Sequence, residues 1–137
     1  IESGARMIHR APETKSSVTV KSIAHRGGIS NYIGELRMEK DAKGSKGHIK
    51  CDSLILDEIS ASGSQPLLKS ACPNTTIEHE ASATRLEQEK LQYLKTRGLS
   101  EQEARGLLIK GFIDPIVTQL PIEYAIEFNK LMEEHIE

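Results

Sequence analysis

The chain has 137 residues, a length that fits one domain or one small domain with an appendage. Its net charge of −2, from 18 basic and 20 acidic side chains, argues against a broadly basic nucleic-acid binder. Two cysteines exclude a disulfide-dense secreted scaffold, and no apolar run approaches the ~18–20 residues of a membrane span. Aromatic residues make up only 4% of the chain and Trp is absent, so any core must be built from thin layers of Ile, Leu, Val and Ala. Ile1-Glu2-Ser3-Gly4 shows no basic region followed by an apolar run, so no signal peptide is expected. The expectation is a soluble, cytoplasmic protein.

The texture changes near Glu80. Residues 1–81 carry 11 basic and 10 acidic side chains, hold seven of the ten glycines, and are rich in Ser, Thr, Ile and Val. They read as short strands and turns. Residues 82–137 carry 7 basic and 10 acidic side chains, with Leu, Glu, Gln and Ala dominant, and read as helices.

In the first segment, Ser17-Val18-Thr19-Val20, Glu35-Leu36-Arg37-Met38 and Ser53-Leu54-Ile55-Leu56 share apolar second and fourth positions and begin 18 residues apart. Arg26-Gly27-Gly28 and Lys43-Gly44-Ser45-Lys46-Gly47 punctuate them as turns. A fixed period of short strands predicts stacked coils of a β-solenoid. Ordinary antiparallel strands with accidental spacing remain the alternative.

The helical signals are firmer. Arg85 to Arg97 predicts a helix with Leu86, Leu91 and Leu94 on one face and Gly98 as its stop. Ser100 and Glu103 are spaced as a capping box. Ala104, Leu107, Leu108, Gly111 and Phe112 then form one apolar stripe, either packed on its own domain or left for a partner. Asp114-Pro115 is another cap-plus-first-position signal. Pro121 opens a final helix with Ile122, Ala125, Ile126 and Met132 along one side.

Few residues carry legible chemistry. Cys51 lies in His48-Ile49-Lys50-Cys51-Asp52-Ser53 at a strand, where a lone cysteine is ordinarily a small buried hydrophobe. Cys72, before Pro73, has the same plain reading, and the two are not spaced as a metal pair. Glu78-His79-Glu80 offers imidazole and carboxylate ligands for iron or zinc. If extended, it points the two glutamates one way and His79 the other, so all three need a bend to share one ion. His9, His25, His48 and His135 show no ligand spacing and read as surface residues. A phosphate-binding loop, a nucleophile elbow and His-Glu-x-x-His are all absent.

Several longer pieces occur in a telling order. They are Thr14-Lys15-Ser16-Ser17 to Val20-Lys21, Tyr32-Ile33-Gly34, Ala42-Lys43-Gly44-Ser45, Cys51-Asp52-Ser53-Leu54, Glu78-His79-Glu80-Ala81, Leu91-Gln92-Tyr93-Leu94-Lys95-Thr96-Arg97-Gly98-Leu99-Ser100 and Gly111-Phe112. From about Ala11 to Met132 the series resembles the C-terminal part of the SufB/SufD family, scaffold subunits of the Suf iron–sulfur cluster assembly machinery.

The resemblance implies a fold that is mainly β with C-terminal α: a right-handed parallel β-helix over 1–81 and a small helical segment over 82–137. It implies a non-enzymatic scaffold that handles a transient iron–sulfur cluster. Its partners would be a SufC-like ABC ATPase and either a second copy or a SufB/SufD-type companion, with no nucleic acid or membrane. By position, Cys51 matches the SufB interface cysteine, Glu80 the SufB glutamate, and His79 the histidine that SufD presents. Leu107, Leu108 and Phe112 become the candidate ATPase-docking residues. Cys51 makes the chain more SufB-like.

Family proteins are longer, so a C-terminal part of a β-helix is expected, without the SufB cysteine that receives sulfur. Complete cluster building by this chain alone is therefore not expected. Two other readings stand beside this one. One is a plain interaction solenoid with no bound metal. The other is a β-helix enzyme acting on polysaccharide, hinted at only by Asp52, Asp57 and Glu58.

Overall fold

The structure is a computed structural model that describes residues 1–136, with side chains described through Met132. The chain divides into two units, Ile1–Arg85 and the residues from Leu86 onward.

The first unit holds six strands: β1 (Glu2–His9), β2 (Lys15–Ala24), β3 (Ile29–Met38), β4 (Lys46–Ile55), β5 (Ala61–Ser70) and β6 (Thr76–Arg85). They form two three-stranded sheets, β1-β3-β5 and β2-β4-β6, in which every ladder is parallel. Successive strands thus alternate between sheets, and each strand pairs with the one two places on. The antiparallel alternative falls.

The 18-residue spacing also needs correcting. It links β2, β3 and β4, which lie in alternate sheets. The stacking offset is 29 residues from Glu2 to Asn31, 31 from Lys15 to Lys46, 32 from Ile29 to Ala61 and 30 from Lys46 to Thr76. The four-residue apolar match marked strands but not their partners.

The corners stack as the strands do. The Glu13 N–H donates to Lys43 O at 2.8 Å, and the Gly44 N–H to Asn74 O at 2.7 Å. At the other end the Arg26 N–H donates to Asp57 Oδ2 at 2.5 Å, and Asp57 Oδ1 accepts from Ser60 N at 2.8 Å. The Asp57 carboxylate thereby satisfies turn amides that no ladder reaches. Lys46 and Gly47, expected in a turn, are strand residues of β4.

Alternate side chains point between the sheets. Tyr32, Leu36, Met38, Ala42, Ile49 and Cys51 make the core, flanked by Met7, Val18, Val20 and Ile77. Leu36 is wholly buried and packs onto Gly47, where a Cβ would lie 2.5 Å from Leu36 Cδ2. Only a glycine lets the two sheets approach there.

His9 departs from its expected place at the surface. It is 6% exposed, with Nδ1 2.6 Å from Thr14 Oγ1 and Nε2 2.7 Å from Ser16 Oγ. Two hydroxyls satisfy both ring nitrogens, which makes burial tolerable. His25 is exposed and His48 is half-buried, while the His135 side chain lies outside those described.

The second unit holds α1 (Gln88–Thr96), α2 (Glu101–Val117) and α3 (Ile122–Ile136). α1 begins after Glu87 rather than at Arg85, which ends β6; pairing with β4 through Ile55 holds Arg85 extended. Gly98, at φ +97°, ends the helix as expected. The Ser100–Glu103 capping box is present: the Glu103 N–H donates to Ser100 Oγ at 3.3 Å, and the Ser100 N–H to Glu103 Oε2 at 2.8 Å.

Asp114-Pro115 does not start a helix. Pro115 lies inside α2, which ends two residues later. A proline withholds one amide from the ladder, and this close to the C-terminus the loss falls where the helix is already ending.

The buried face of α2 is Ala104, Ile109, Ile113 and Val117. The expected stripe is therefore rotated: Leu107 is 53% exposed, Gly111 is exposed, and Leu108 and Phe112 are half-buried. On α3, Ile122 and Ile126 are exposed, while Ala125 and Met132 are half-buried. Among the described residues, no helix is long and apolar enough to cross a membrane.

Candidate functional site

β4 carries Cys51, and β6 carries His79 and Glu80. In the β4–β6 ladder Cys51 stands opposite Ala81, Ile49 opposite His79 and Lys50 opposite Glu80. Parity then decides orientation. Cys51, Ile49 and His79 share the inner face, whereas Glu80 is on the outer face with His48 and Lys50.

Glu80 Oε1 lies 3.4 Å from His48 Nε2, and Oε2 lies 3.8 Å from Lys50 Nζ. The His48 contact is a close approach rather than a hydrogen bond, since that nitrogen has no hydrogen-bond partner. Glu78 and Glu80 are exposed and His79 half-buried, as an extended run requires. One copy of the chain thus brings Cys51 and His79 to one side of the sheet and leaves Glu80 on the other. Among the described residues, no three His, Cys, Asp or Glu side chains gather to hold a metal ion.

Cys51 is 4% exposed and its sulfur is a free thiol, as is the buried Cys72. Burial pushes the Cys51 thiol up; a hydrogen bond from Ser64 opposes this and the Asp52 charge adds to it.

Asp52, next in sequence, faces the other way. Ser82 Oγ donates to its Oδ1 at 2.7 Å and Lys21 Nζ to its Oδ2 at 3.3 Å. Desolvation pushes this carboxyl up, but Ser82, Lys21 and Lys50 outweigh it and hold it below the usual range. Asp52 and Asp57 are thus engaged in ion pairing and turn capping.

Sequence reasoning missed Glu35. It is 7% exposed, paired with Arg6 on β1, and Arg37 Nη2 donates to its Oε1 at 2.7 Å. Desolvation pushes it up, and the two guanidiniums overcome that and lower it. Glu35 and Arg37, two apart on one strand, gave a local signal; Arg6, 29 residues away, gave none. Tyr32 and Ser64 were also missed as neighbours of Cys51, because only the register between sheets brings them there.

A family model described as SUF system FeS cluster assembly, SufBD core domain, matches residues 1–112. An iron-sulfur cluster assembly SufBD family protein of Mycobacterium bovis is 40% identical over 136 residues, covering 99% of this chain and 16% of its own length. One from Staphylococcus haemolyticus is 42% identical over 136 residues, covering 99% of this chain and 29% of its own length. The chain therefore spans less than a third of these relatives, and it belongs to the SufBD family of iron–sulfur cluster assembly proteins.

Proposed function

We propose that this chain forms the part of a Suf scaffold on which an iron–sulfur cluster is assembled as cargo, acting as a binding platform and not as an enzyme. The family match over residues 1–112 carries this reading. The two alternating parallel sheets support the β-helix reading, with the right hand that the family resemblance implies. β5 and β6 each pair on one side only, and a second subunit, identical or SufD-like, docks on that end by adding strands to the open edges.

Docking there would cover the inner face of β6. It would put His79 and, one strand deeper, Cys51 next to a partner's ligands. Glu80, on the outer face, would then serve the site only through a local bend or from the opposing subunit. A mixed set of thiolate, imidazole and carboxylate binds iron less tightly than four thiolates, which suits release to a recipient. Leu107, with Leu108 and Phe112 beside it, forms part of the surface that docks a SufC-like ABC ATPase. The two free thiols suit a reducing, cytoplasmic setting.

The test is anaerobic reconstitution of the full-length protein with iron and sulfide. A visible charge-transfer band is expected, reduced at least tenfold in Cys51→Ser. A band that persists in Cys51→Ser removes Cys51 from the ligand set. The second reading, an interaction solenoid without metal, draws on the burial of Cys51 and predicts no band in either protein.

A further inference from the structure

The interior around Cys51 contains two hydroxyls that iron binding does not use. Tyr32 on β3 and Ser64 on β5 are register partners, so both side chains leave the same sheet at the same level. They face the sheet that carries Cys51. Ser62 Oγ, two residues before Ser64 on the same face, donates to Ser53 Oγ at 2.8 Å across the two sheets, which sets Ser64 over Cys51, two residues back along β4. Tyr32 packs in one cluster with Cys51, and its ring lies across Gly34, where a Cβ would meet Tyr32 Cε1 at 2.9 Å and Ile49 Cδ1 at 3.1 Å.

The Tyr32 phenol is the anomaly. The residue is 8% exposed, and its hydroxyl has no hydrogen-bond partner. A buried, unsatisfied hydroxyl is a standing penalty that native structures rarely retain without a role. Phenylalanine would fill the same volume without it. Tyr32 and Cys51 lie in the same buried cluster, yet no hydrogen bond joins the two. One sulfur atom added to Cys51 extends that side chain by about 2 Å and carries its charge outward.

We propose that Tyr32 and Ser64 are positioning residues that hold a sulfane sulfur on Cys51, Ser64 at the inner sulfur and Tyr32 at the outer one. This deepens the scaffold reading and rests on it for the choice of sulfur as cargo. The sulfur arrives from a donor persulfide or inorganic polysulfide. The Cys51 sulfur attacks the terminal sulfur of the donor, which enters as its persulfide or polysulfide anion; a new S–S bond forms, and the donor S–S bond breaks with its electron pair on the departing sulfur. The Cys51 thiol proton passes to that departing sulfur, so Cys51 is left as a persulfide anion and no external oxidant is consumed. In a dry interior, an anion of this kind needs hydroxyl donors in place of water.

The experiment uses the full-length protein, metal-free and anaerobic, treated with inorganic polysulfide and then freed of reagent. Mass spectrometry of blocked peptides reads the extra sulfur on Cys51 separately from Cys72. The wild type is expected to keep the added sulfur. Tyr32→Phe should keep about tenfold less, the effect of losing one hydrogen bond to an anion, and Ser64→Ala should show a similar loss. The thermal midpoint of Tyr32→Phe should stay level or rise, because an orphaned hydroxyl has been removed, and this excludes unfolding as the cause. Should Tyr32→Phe fold poorly, Ser64→Ala decides alone. Wild-type retention in a folded variant overturns the proposal. Because the assay contains no iron, retained sulfur with failed cluster reconstitution would overturn the cluster reading and leave this one standing.

Discussion

The two units are held together by opposite means. In Ile1–Arg85 every ladder joins residues about thirty positions apart, and the core residues come from strands that are distant in sequence. From Leu86 onward the structure rests on helices whose starts and stops are local. Gly98 ends α1, the Ser100–Glu103 box begins α2, and Leu91, Ala104, Ile109, Ile113 and Val117 supply the buried side chains. Local closure costs little chain entropy, whereas stacked parallel strands must close long loops before they gain contacts. The β unit therefore depends on a few fully packed positions, and the helical unit on caps and one buried stripe.

The largest test of this contrast is a cavity. Leu36→Ala should destabilise the β unit by about 3 kcal/mol in denaturant unfolding, because its neighbours on Gly47 and in the core cannot collapse onto the space. Leu107→Ala, on the exposed side of α2, should stay within about 0.5 kcal/mol by the same measurement. Equal costs at the two leucines would erase the distinction between them.

A cap gives a smaller effect confined to the other unit. Ser100→Ala removes the Oγ half of the reciprocal box, leaves the backbone N–H on Glu103, and should weaken α2 by about 1 kcal/mol. Hydrogen exchange should accelerate in the first turn of α2 and stay unchanged in β3 and β4. A uniform acceleration would mean that the two units unfold together.

The smallest effect is electrostatic and appears on the acid side. Glu35 is held below its usual range by Arg6 and Arg37 against desolvation. Its folded value is thus lower than its unfolded one. Its contribution is complete above the unfolded carboxylate value of about 4.3 and is lost as pH falls through the folded value. Glu35→Gln should flatten the decline of stability below about pH 4 and leave the slope near neutral pH unchanged. Arg6 is largely exposed, so screening keeps the contribution modest. An unaltered acid limb in Glu35→Gln would assign that limb to other carboxylates, such as Asp52 or Asp57.

Local signals in the sequence read the helical unit well. Gly98, Ser100 and Glu103 act through neighbours within four residues, and their effect does not depend on what surrounds them. The same logic failed at Asp114-Pro115, because a proline near a helix end is compatible with continuing the turn before it. It failed at Arg85, because pairing with a distant strand overrode the helical pattern. It also rotated the α2 stripe: Leu107 fits an apolar face, but packing selected Ile109, Ile113 and Val117.

By itself the sequence determined the division into strand-rich and helix-rich segments, the Gly98 stop and the Ser100–Glu103 box, and the opposed faces of His79 and the glutamates beside it, but not the core, where Tyr32, Met38 and Cys51 join the expected aliphatic side chains. Alternation and capping are properties of adjacent residues, so one chain segment is enough to set them. Tertiary structure decided the stacking offset, the burial of His9, the pairing of Glu35 with Arg6, and the meeting of Cys51 with Tyr32 and Ser64. Each of these depends on which strand lies beside or across from which. That register emerges only when two sheets close on a shared interior and every inward side chain must find a neighbour.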